Sequence, residues 1–131
     1  MWGCYGTLIS GADGTAIGTG SQNTADILAG CSETNIAAYL CDNLTLGGYN
    51  DWFLPSKDEL NKLYKNIGQG NALGLGNVGG FAYNDYWSSS EGGNYYAWLQ
   101  MFNFGIDQSN YYKYYTAYVL SLIHISEPTR Q

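Results

Sequence analysis

Positive charge is scarce in this chain of 131 residues. Five Lys and Arg residues stand against eleven Asp and Glu residues, which gives a formal net charge of −6. Proteins that bind nucleic acid neutralise phosphates with clustered cations, and anionic membranes attract basic segments. No run approaches the 18 or so apolar residues of a membrane span. The sequence therefore argues against nucleic acid as a partner, against an anionic membrane surface and against direct insertion into a membrane.

Histidine and arginine are also nearly absent. His124 and Arg130, one of each, both fall in the last twelve residues, LSLIHISEPTRQ. This string resembles a translated sequencing-library adapter. We therefore predict a domain over residues 1–119 and a non-native tail over residues 120–131. The predicted domain then has no imidazole for a general base, a catalytic triad or a typical zinc site.

Glycine and aromatic residues are abundant, with 18 Gly, 13 Tyr, 4 Trp and 4 Phe. Residues 2–20 are rich in glycine and indicate a short strand with turns. Apolar residues at helical spacing follow. We predict one helix capped by Asn23 or Thr24 and a second that begins at Ser32 and is stopped by the glycines near Gly47.

Residues 51–60, DWFLPSKDEL, predict a buried run followed by a third helix. The aromatic and apolar residues 52–54 are expected in the core. Ser56 with Glu59 three residues later is the pattern of a capping box, in which each side chain satisfies the other's backbone amide. The helix is predicted to continue to about Asn66.

The second half of the chain favours strands. Runs of Tyr, Trp and Phe bounded by Gly, Asn and Ser predict strands over residues 86–90, 95–105 and 111–119. Trp87 and Trp98 are expected in the core. Helices that precede an antiparallel sheet are typical of an α+β domain, so we predict two or three helices followed by a small antiparallel sheet.

Three segments together resemble one known family. They are WGCYG at 2–6 with GTAIGTG at 14–20, YNDWFLPSKDEL at 49–60, and YWSSSE at 86–91 followed by Ala97-Trp98. With these segments the chain resembles the Lcl C-terminal domain family over roughly residues 2–119. The resemblance implies a C-type-lectin-like fold, similar to that of formylglycine-generating enzymes.

The same resemblance implies a place and a kind of ligand. Members of the family sit on bacterial or phage surface proteins, and the named member is an adhesin that binds sulfated glycans. We therefore expect this chain outside the cell, at a cell surface or on a virion. Because its net charge is −6, a sulfated glycan is a poor partner for this chain. Compared with the family pattern, a Gly-rich strand before Trp2 and an Arg-containing strand after Val119 are missing, so the domain is expected to be truncated at both ends.

Residues for catalysis are few. Formylglycine-generating enzymes use a late cysteine pair, and no cysteine follows Cys41. The loops with which C-type lectins bind calcium are absent. We predict no catalytic residue, no metal and no cofactor. The alternative is a glycoside hydrolase that uses a carboxylate pair from Asp85, Glu91 and Asp107.

Tyrosine is concentrated late in the chain, where nine of the 13 fall between residues 83 and 118. Tyrosine gives a large rigid contact area with a polar tip, and the interleaved Asn, Gln and Ser adapt their hydrogen bonds, as in antibody paratopes. Neighbours on a strand face opposite sides, so one residue of each tyrosine pair should point outward. We predict a non-catalytic module that binds a glycan or a cell-surface receptor, with these contact residues: Tyr95, Tyr96, Asn103, Asp107, Gln108, Asn110, Tyr111, Tyr112, Tyr114 and Tyr115.

Two further hypotheses concern this region. Codons for Asn, Tyr, Ser and Asp interconvert when adenines are randomised, as happens in C-type-lectin-like domains diversified by retroelements, and residues 94–96 and 107–115 are rich in them. The chain would then be a variable receptor-binding domain. Alternatively, it is a structural module of a tail fibre or surface protein that forms homo-oligomers.

Three cysteines, Cys4, Cys31 and Cys41, make an odd number. In a surface protein one disulfide is expected, and any of the three pairings is open. The alternative is a cytosolic protein with three free thiols.

Overall fold

The computed structural model describes residues 1–68, 79–82, 84–102 and 108–122. Three helices precede three strands, which confirms the α+β class. The helices are α1 Gly20–Gly30, α2 Ala37–Asp42 and α3 Lys57–Ile67, and the strands are β1 Asp85–Glu91, β2 Tyr96–Met101 and β3 Gln108–Tyr112. No helix in the described ranges has the length and apolarity needed to cross a membrane.

The strands form one antiparallel sheet with β2 in the centre. Side chains alternate between its two faces. Ala97 and Leu99 of β2 point into the larger core, which also holds Trp2, Ile27 of α1 and Trp87 of β1. The opposite face packs against α3 through a smaller cluster made of Leu60, Tyr64, Tyr86 and Phe102. Helices therefore cover both faces of the sheet. The face that packs against α3 also carries Tyr96 and Trp98, which lie towards the opposite end of the sheet.

The predicted capping box is confirmed at the start of α3. The backbone amide of Glu59 donates to Ser56 Oγ at 3.3 Å, and the amide of Ser56 donates to Glu59 Oε1 at 2.8 Å. The helix ends at Ile67, one residue beyond the predicted end. Gly20 approaches this cap so closely that an added Cβ would lie 2.8 Å from the carbonyl oxygen of Leu54, so the first residue of α1 must be glycine.

The predicted starts of the first two helices were wrong. Helix α1 begins three residues before Asn23, because the side chains of Asn23 and Thr24 bond to distant backbone instead of capping. Asn23 Nδ2 donates to the Gly14 carbonyl at 2.6 Å, and Thr24 Oγ1 accepts from the Leu54 amide at 2.9 Å.

The second helix begins at Ala37 and not at Ser32. Its first amide donates to the carbonyl of Met1, so tertiary contact sets the start. It ends at Asp42, well before the predicted stop at Gly47.

The strand predictions need three corrections. The segment 2–20 forms turns and no strand among the described residues. The last strand runs over Gln108–Tyr112 and not over 111–119, because the chain turns after Tyr112 and, within the described residues, meets the sheet again at one parallel bridge between Tyr118 and Tyr86. Trp52 and Trp98 are half-buried, whereas Trp87 is fully buried as predicted.

A disulfide joins Cys4 to Cys31 at the end of α1, with a Cα–Cα distance of 6.0 Å. This is one of the three disulfide pairings that the sequence analysis left open. Cys41 is a buried free thiol. The disulfide closes a loop of 27 residues in the unfolded chain and so lowers its conformational entropy. In the loop-entropy account this stabilises the folded state by about 3.6 kcal/mol. The bond ties the N-terminal segment to α1.

Residues 120–122 lie against the domain. Phe53 and Leu122 exchange two backbone hydrogen bonds of 2.7 and 2.8 Å, and Ser121 Oγ lies 3.0 Å from the sulfur of Cys41. The predicted boundary between residues 119 and 120 stays a prediction. The rest of the predicted tail, including His124 and Arg130, lies outside the described residues.

Candidate ligand-binding site

The three serines of the YWSSSE segment are fully buried and join the signature segments of the chain. Ser88 Oγ donates to the Trp98 carbonyl at 2.7 Å, and the carbonyl of Ser88 accepts from the Trp2 indole at 2.9 Å. Ser90 Oγ donates to the carbonyl of Gly14 at 2.7 Å and accepts from the amide of Lys57 at 2.9 Å. These motifs hold the fold together, so the binding surface must be sought elsewhere.

The acids considered for hydrolysis do not form a pair in the described residues. The side chain of Glu91 is buried, and its Oε2 accepts from Lys113 Nζ at 2.6 Å and from the Ile9 amide at 2.8 Å. Asp85 accepts from the hydroxyl of Tyr115 at 3.1 Å. Asp85 and Glu91 are the two ends of β1, about 20 Å apart at the usual rise per residue. A glycosidase pair needs a separation of about 5–9.5 Å. Asp107 lies outside the described residues.

One group of potential metal ligands occurs in the described part of the chain. The donor atoms of Cys4, Cys31 and Glu33 lie within 4.8 Å of one another. Both sulfurs are joined in the disulfide, so they offer no thiolate to a metal. The absence of a metal site stays a prediction.

A cluster of five tyrosines lies at one end of the sheet, and we call it the tyrosine platform: Tyr5, Tyr95, Tyr96, Tyr112 and Tyr114. Each of these side chains is between 38% and 54% exposed. Their rings are in mutual contact. The centroids are 4.9 Å apart for Tyr96 and Tyr112, 5.3 Å for Tyr112 and Tyr114, and 5.0 Å for Tyr5 with both Tyr95 and Tyr114. The platform is therefore a contiguous, solvent-facing aromatic surface.

Strand register and one buried lysine create the row of rings along β3. Tyr96 and Tyr112 are direct cross-strand partners, so they share a face. Lys113 turns inward, fully buried, to reach Glu91, and the rings of Tyr112 and Tyr114 on either side of it stack at an interplanar angle of 3°. The segment YYKYY thus presents two tyrosines outward because the lysine between them is an anchor.

Tyr5 reaches the platform from the other end of the chain. It follows Cys4 directly, and the amide of Gly6 donates to the Asn94 carbonyl at 2.9 Å. Its ring meets those of Tyr112 and Tyr114 edge-on. Sequence analysis did not assign Tyr5 to the site, and the one signal for it was its place beside a cysteine.

A polar border adjoins the platform on the same face of the sheet. Trp98, two residues from Tyr96, lies under Lys57, whose Nζ is 3.8 Å from the ring centroid. Asn110 is its cross-strand partner and is exposed. Gln108 Nε2 donates to the carbonyl of Lys57 at 2.5 Å. The border supplies an amide and a cation, neither of which the platform contains.

The other predicted contact residues lie apart. Tyr111 is half-buried against the larger core, consistent with its opposite orientation to Tyr112. Tyr115 is exposed, but its ring lies 5.0 Å from that of Tyr111 and its hydroxyl bonds to Asp85. Asn103 and Asp107 lie outside the described residues. Of the predicted residues that the structure describes, four form the platform, two form its border, and Tyr111 and Tyr115 face away.

Two phenols of the platform, those of Tyr5 and Tyr96, have a pKa raised above the usual value of tyrosine. Desolvation, with smaller contributions from the neighbouring tyrosines, raises the pKa of Tyr5. A hydrogen bond with Tyr112 is the main cause that raises the pKa of Tyr96. A phenol hydroxyl can donate and accept hydrogen bonds, so the surface combines aromatic area with hydroxyl groups.

Two clefts lie elsewhere in the described structure. One, of about 330 Å³, runs along α3 and is lined by Ile17, Leu63 and Ile67 among others. The second, of about 240 Å³, is lined by residues that include Trp52, with Asp42 and Asp51. Neither contains a residue of the platform.

The Lcl C-terminal domain family model matches residues 11–123 of this sequence. No curated protein and no solved structure matches this chain. The match includes every platform residue except Tyr5.

Proposed function

Because this chain belongs to the Lcl C-terminal domain family, which supports a surface or binding module, we propose that it binds a carbohydrate or another cell-surface ligand without catalysis. The tyrosine platform is the contact surface, with Asn110 and Lys57 at its border. The observation that carries this proposal is the mutual contact of five exposed tyrosine rings at one end of the sheet.

The chemistry of the platform suits a sugar. Tyrosine rings offer flat apolar area to the C–H faces of a pyranose, and their hydroxyls bond to its hydroxyls. Solvent-exposed aromatic area of this kind is uncommon away from binding surfaces. A chain with a net charge of −6 favours a neutral or weakly charged ligand over a densely sulfated one.

The location follows from the same proposal. Disulfides persist in oxidising compartments, so the Cys4–Cys31 bond supports a place outside the cell, on its surface or on a virion. The partner is then a glycan or a receptor on another cell. No metal or cofactor takes part.

The test compares immobilised glycans and cell-surface polysaccharides as ligands for the oxidised chain. Tyr96→Ala and Tyr112→Ala remove central rings, and each should weaken binding about tenfold, equivalent to about 1.4 kcal/mol. Tyr49→Ala is the matched control, because Tyr49 is equally exposed but lies away from the platform. Its affinity should equal that of the wild type.

Two results would contradict the proposal. One is equal loss of binding in the platform variants and in the control. The other is an absence of binding to every glycan together with concentration-dependent oligomers, which would favour the structural module. Release of a shortened sugar during the incubation would instead indicate hydrolysis.

The hypothesis of a variable receptor-binding domain belongs to the same proposal. Four of the five platform residues come from the segments 94–96 and 107–115, which are rich in residue types whose codons interconvert when adenines are randomised. Sequencing related loci should find substitutions confined to these two segments. Substitutions spread evenly along the gene would contradict it.

A further inference from the structure

We propose that the Cys4–Cys31 disulfide is a redox switch that assembles the tyrosine platform. In the oxidised chain it places Tyr5 among the other rings, and reduction releases Tyr5 while the rest of the domain stays folded. The assembly step stands on the structure alone, and the effect on ligand binding rests on the proposed function.

The segment that the disulfide controls is short and lies between two firm anchors. On one side Trp2 is buried, and its backbone amide donates to the Lys113 carbonyl at 2.9 Å. On the other side Ile9 is buried and donates to Glu91 at 2.8 Å. Residues 5–8 between these anchors are exposed. Loss of the disulfide therefore frees a local loop and leaves both ends attached to the core.

The backbone of Cys4 is held in a conformation that cysteine does not favour. Its φ is +48°, in the left-handed region, where Cβ crowds the carbonyl oxygen. The disulfide is the one covalent cross-link of this loop in the described structure. Its other attachments are the ring contacts of Tyr5 and individual hydrogen bonds, such as those from the Gly6 amide to Asn94 and from Lys113 Nζ to Thr7. Once the covalent bond is broken, Cys4 can return to negative φ, and this rotation redirects the following residue, Tyr5.

Tyr5 contacts three other rings of the platform, as many as Tyr112 does. Its ring lies 5.0 Å from Tyr95, 6.0 Å from Tyr112 and 5.0 Å from Tyr114. Its departure would remove the ring that contacts Tyr95 and would uncover one side of the Tyr112–Tyr114 stack. The continuous surface would then be divided.

The reaction is a thiol–disulfide exchange with a dithiol as reductant. One thiolate of the dithiol attacks the sulfur of Cys4, the more exposed cysteine, the S–S bond breaks, and Cys31 leaves as a thiolate that takes up a proton. The second thiol of the reductant then attacks the mixed disulfide and releases Cys4. The dithiol loses two electrons and becomes a cyclic disulfide, and the protein gains two thiols.

The first measurement needs no ligand. Proton NMR spectra of the oxidised chain should contain cross-peaks between the rings of Tyr5 and Tyr114, and dithiothreitol should abolish them. The Trp2 indole signal, which reports the bond to the Ser88 carbonyl, should persist, and reoxidation should restore the cross-peaks. The variant Cys4→Ser/Cys31→Ser should resemble the reduced chain, whereas Cys41→Ser, which removes the third cysteine, should still respond to dithiothreitol.

The second measurement is the affinity for an immobilised glycan that binds the wild-type chain. Reduction should weaken it by the same factor as Tyr5→Ala, and reduction of Tyr5→Ala should have no further effect. Persistence of the Tyr5–Tyr114 cross-peaks after complete reduction, or loss of the Trp2 signal together with them, would overturn the switch. A switch seen by NMR in a chain that binds no glycan would refute the proposed function and leave the switch intact.

Discussion

Replacing Lys113 with methionine should destabilise the domain far more than replacing any exposed lysine. Its ammonium is fully buried, lies 2.6 Å from Glu91 Oε2 and 2.8 Å from the Thr7 carbonyl, and sits 4.8 Å above the Trp2 ring. Methionine keeps the length of the side chain but removes the charge. The Glu91 carboxylate would then stay buried with the Ile9 amide as its one remaining donor among the described residues.

The magnitude follows from the cost of a buried charge that has lost its partner. Breaking a buried ion pair on one side costs about 3–5 kcal/mol. A domain of this size has a total stability of about 5–15 kcal/mol, so the loss is a large share of it. The midpoint of thermal unfolding should fall by about 10–20 °C. Lys62→Met, at an exposed position on α3, should change the stability by less than about 0.5 kcal/mol.

Urea unfolding followed by circular dichroism measures the effect, and a double-mutant cycle isolates the pair. Glu91→Gln keeps an acceptor for Ile9, so the double variant Glu91→Gln/Lys113→Met contains no unpaired charge. Its loss of stability should be smaller than the sum of the two single losses by more than 1 kcal/mol. The reasoning would be refuted if Lys113→Met cost less than about 1 kcal/mol, or if the two losses simply added.

Three other predictions concern buried or reactive groups. Gln100→Leu should raise stability by about 1–2 kcal/mol in thermal unfolding, because its buried amide has no partner among the described residues, whereas Gln108→Leu should lower it because that amide bonds to backbone. Burial raises the pKa of the Cys41 thiol from 9 to about 11, so the unfolded chain loses this proton first and stability should fall between pH 9 and pH 11 by up to about 2.5 kcal/mol. Cys41→Ala should flatten that part of the urea-denaturation profile. Glu33→Gln should speed reduction of the disulfide about fourfold at low salt, because a carboxylate within 4.8 Å of both sulfurs repels the attacking thiolate, and an unchanged rate measured by thiol release would contradict this.

The parts of the fold that the sequence predicted well depend on short-range chemistry. The capping box of α3 needs two side chains three residues apart, and both lie in the segment DWFLPSKDEL. The start of α1 was wrong for the opposite reason. Asn23 and Thr24 have the chemistry of helix caps, but their partners, Gly14 and Leu54, are supplied by the tertiary fold.

The site shows the same division. Alternation along a strand predicted that one residue of each tyrosine pair would face outward, and in the structure Tyr112 is exposed and Tyr111 is half-buried. The assignment of the binding surface to this region stays a prediction. The burial of Lys113 was not predicted, because a lysine in a polar aromatic run is usually exposed and its partner, Glu91, lies 22 residues earlier. Tyr5 was missed because its ring partners, Tyr95, Tyr112 and Tyr114, are about 90 or more residues away in the sequence and no local pattern indicates them.

The most direct test of the tyrosine platform is ligand mapping on the oxidised chain with ring-labelled tyrosine. On addition of a glycan that binds, the account predicts shifts in the ring signals of Tyr5, Tyr96, Tyr112 and Tyr114, while those of Tyr49 and Tyr118 stay unchanged although both are exposed. Shifts confined to Tyr49 or Tyr118, with the platform signals unmoved at saturation, would show that the ligand is held elsewhere and would contradict the account.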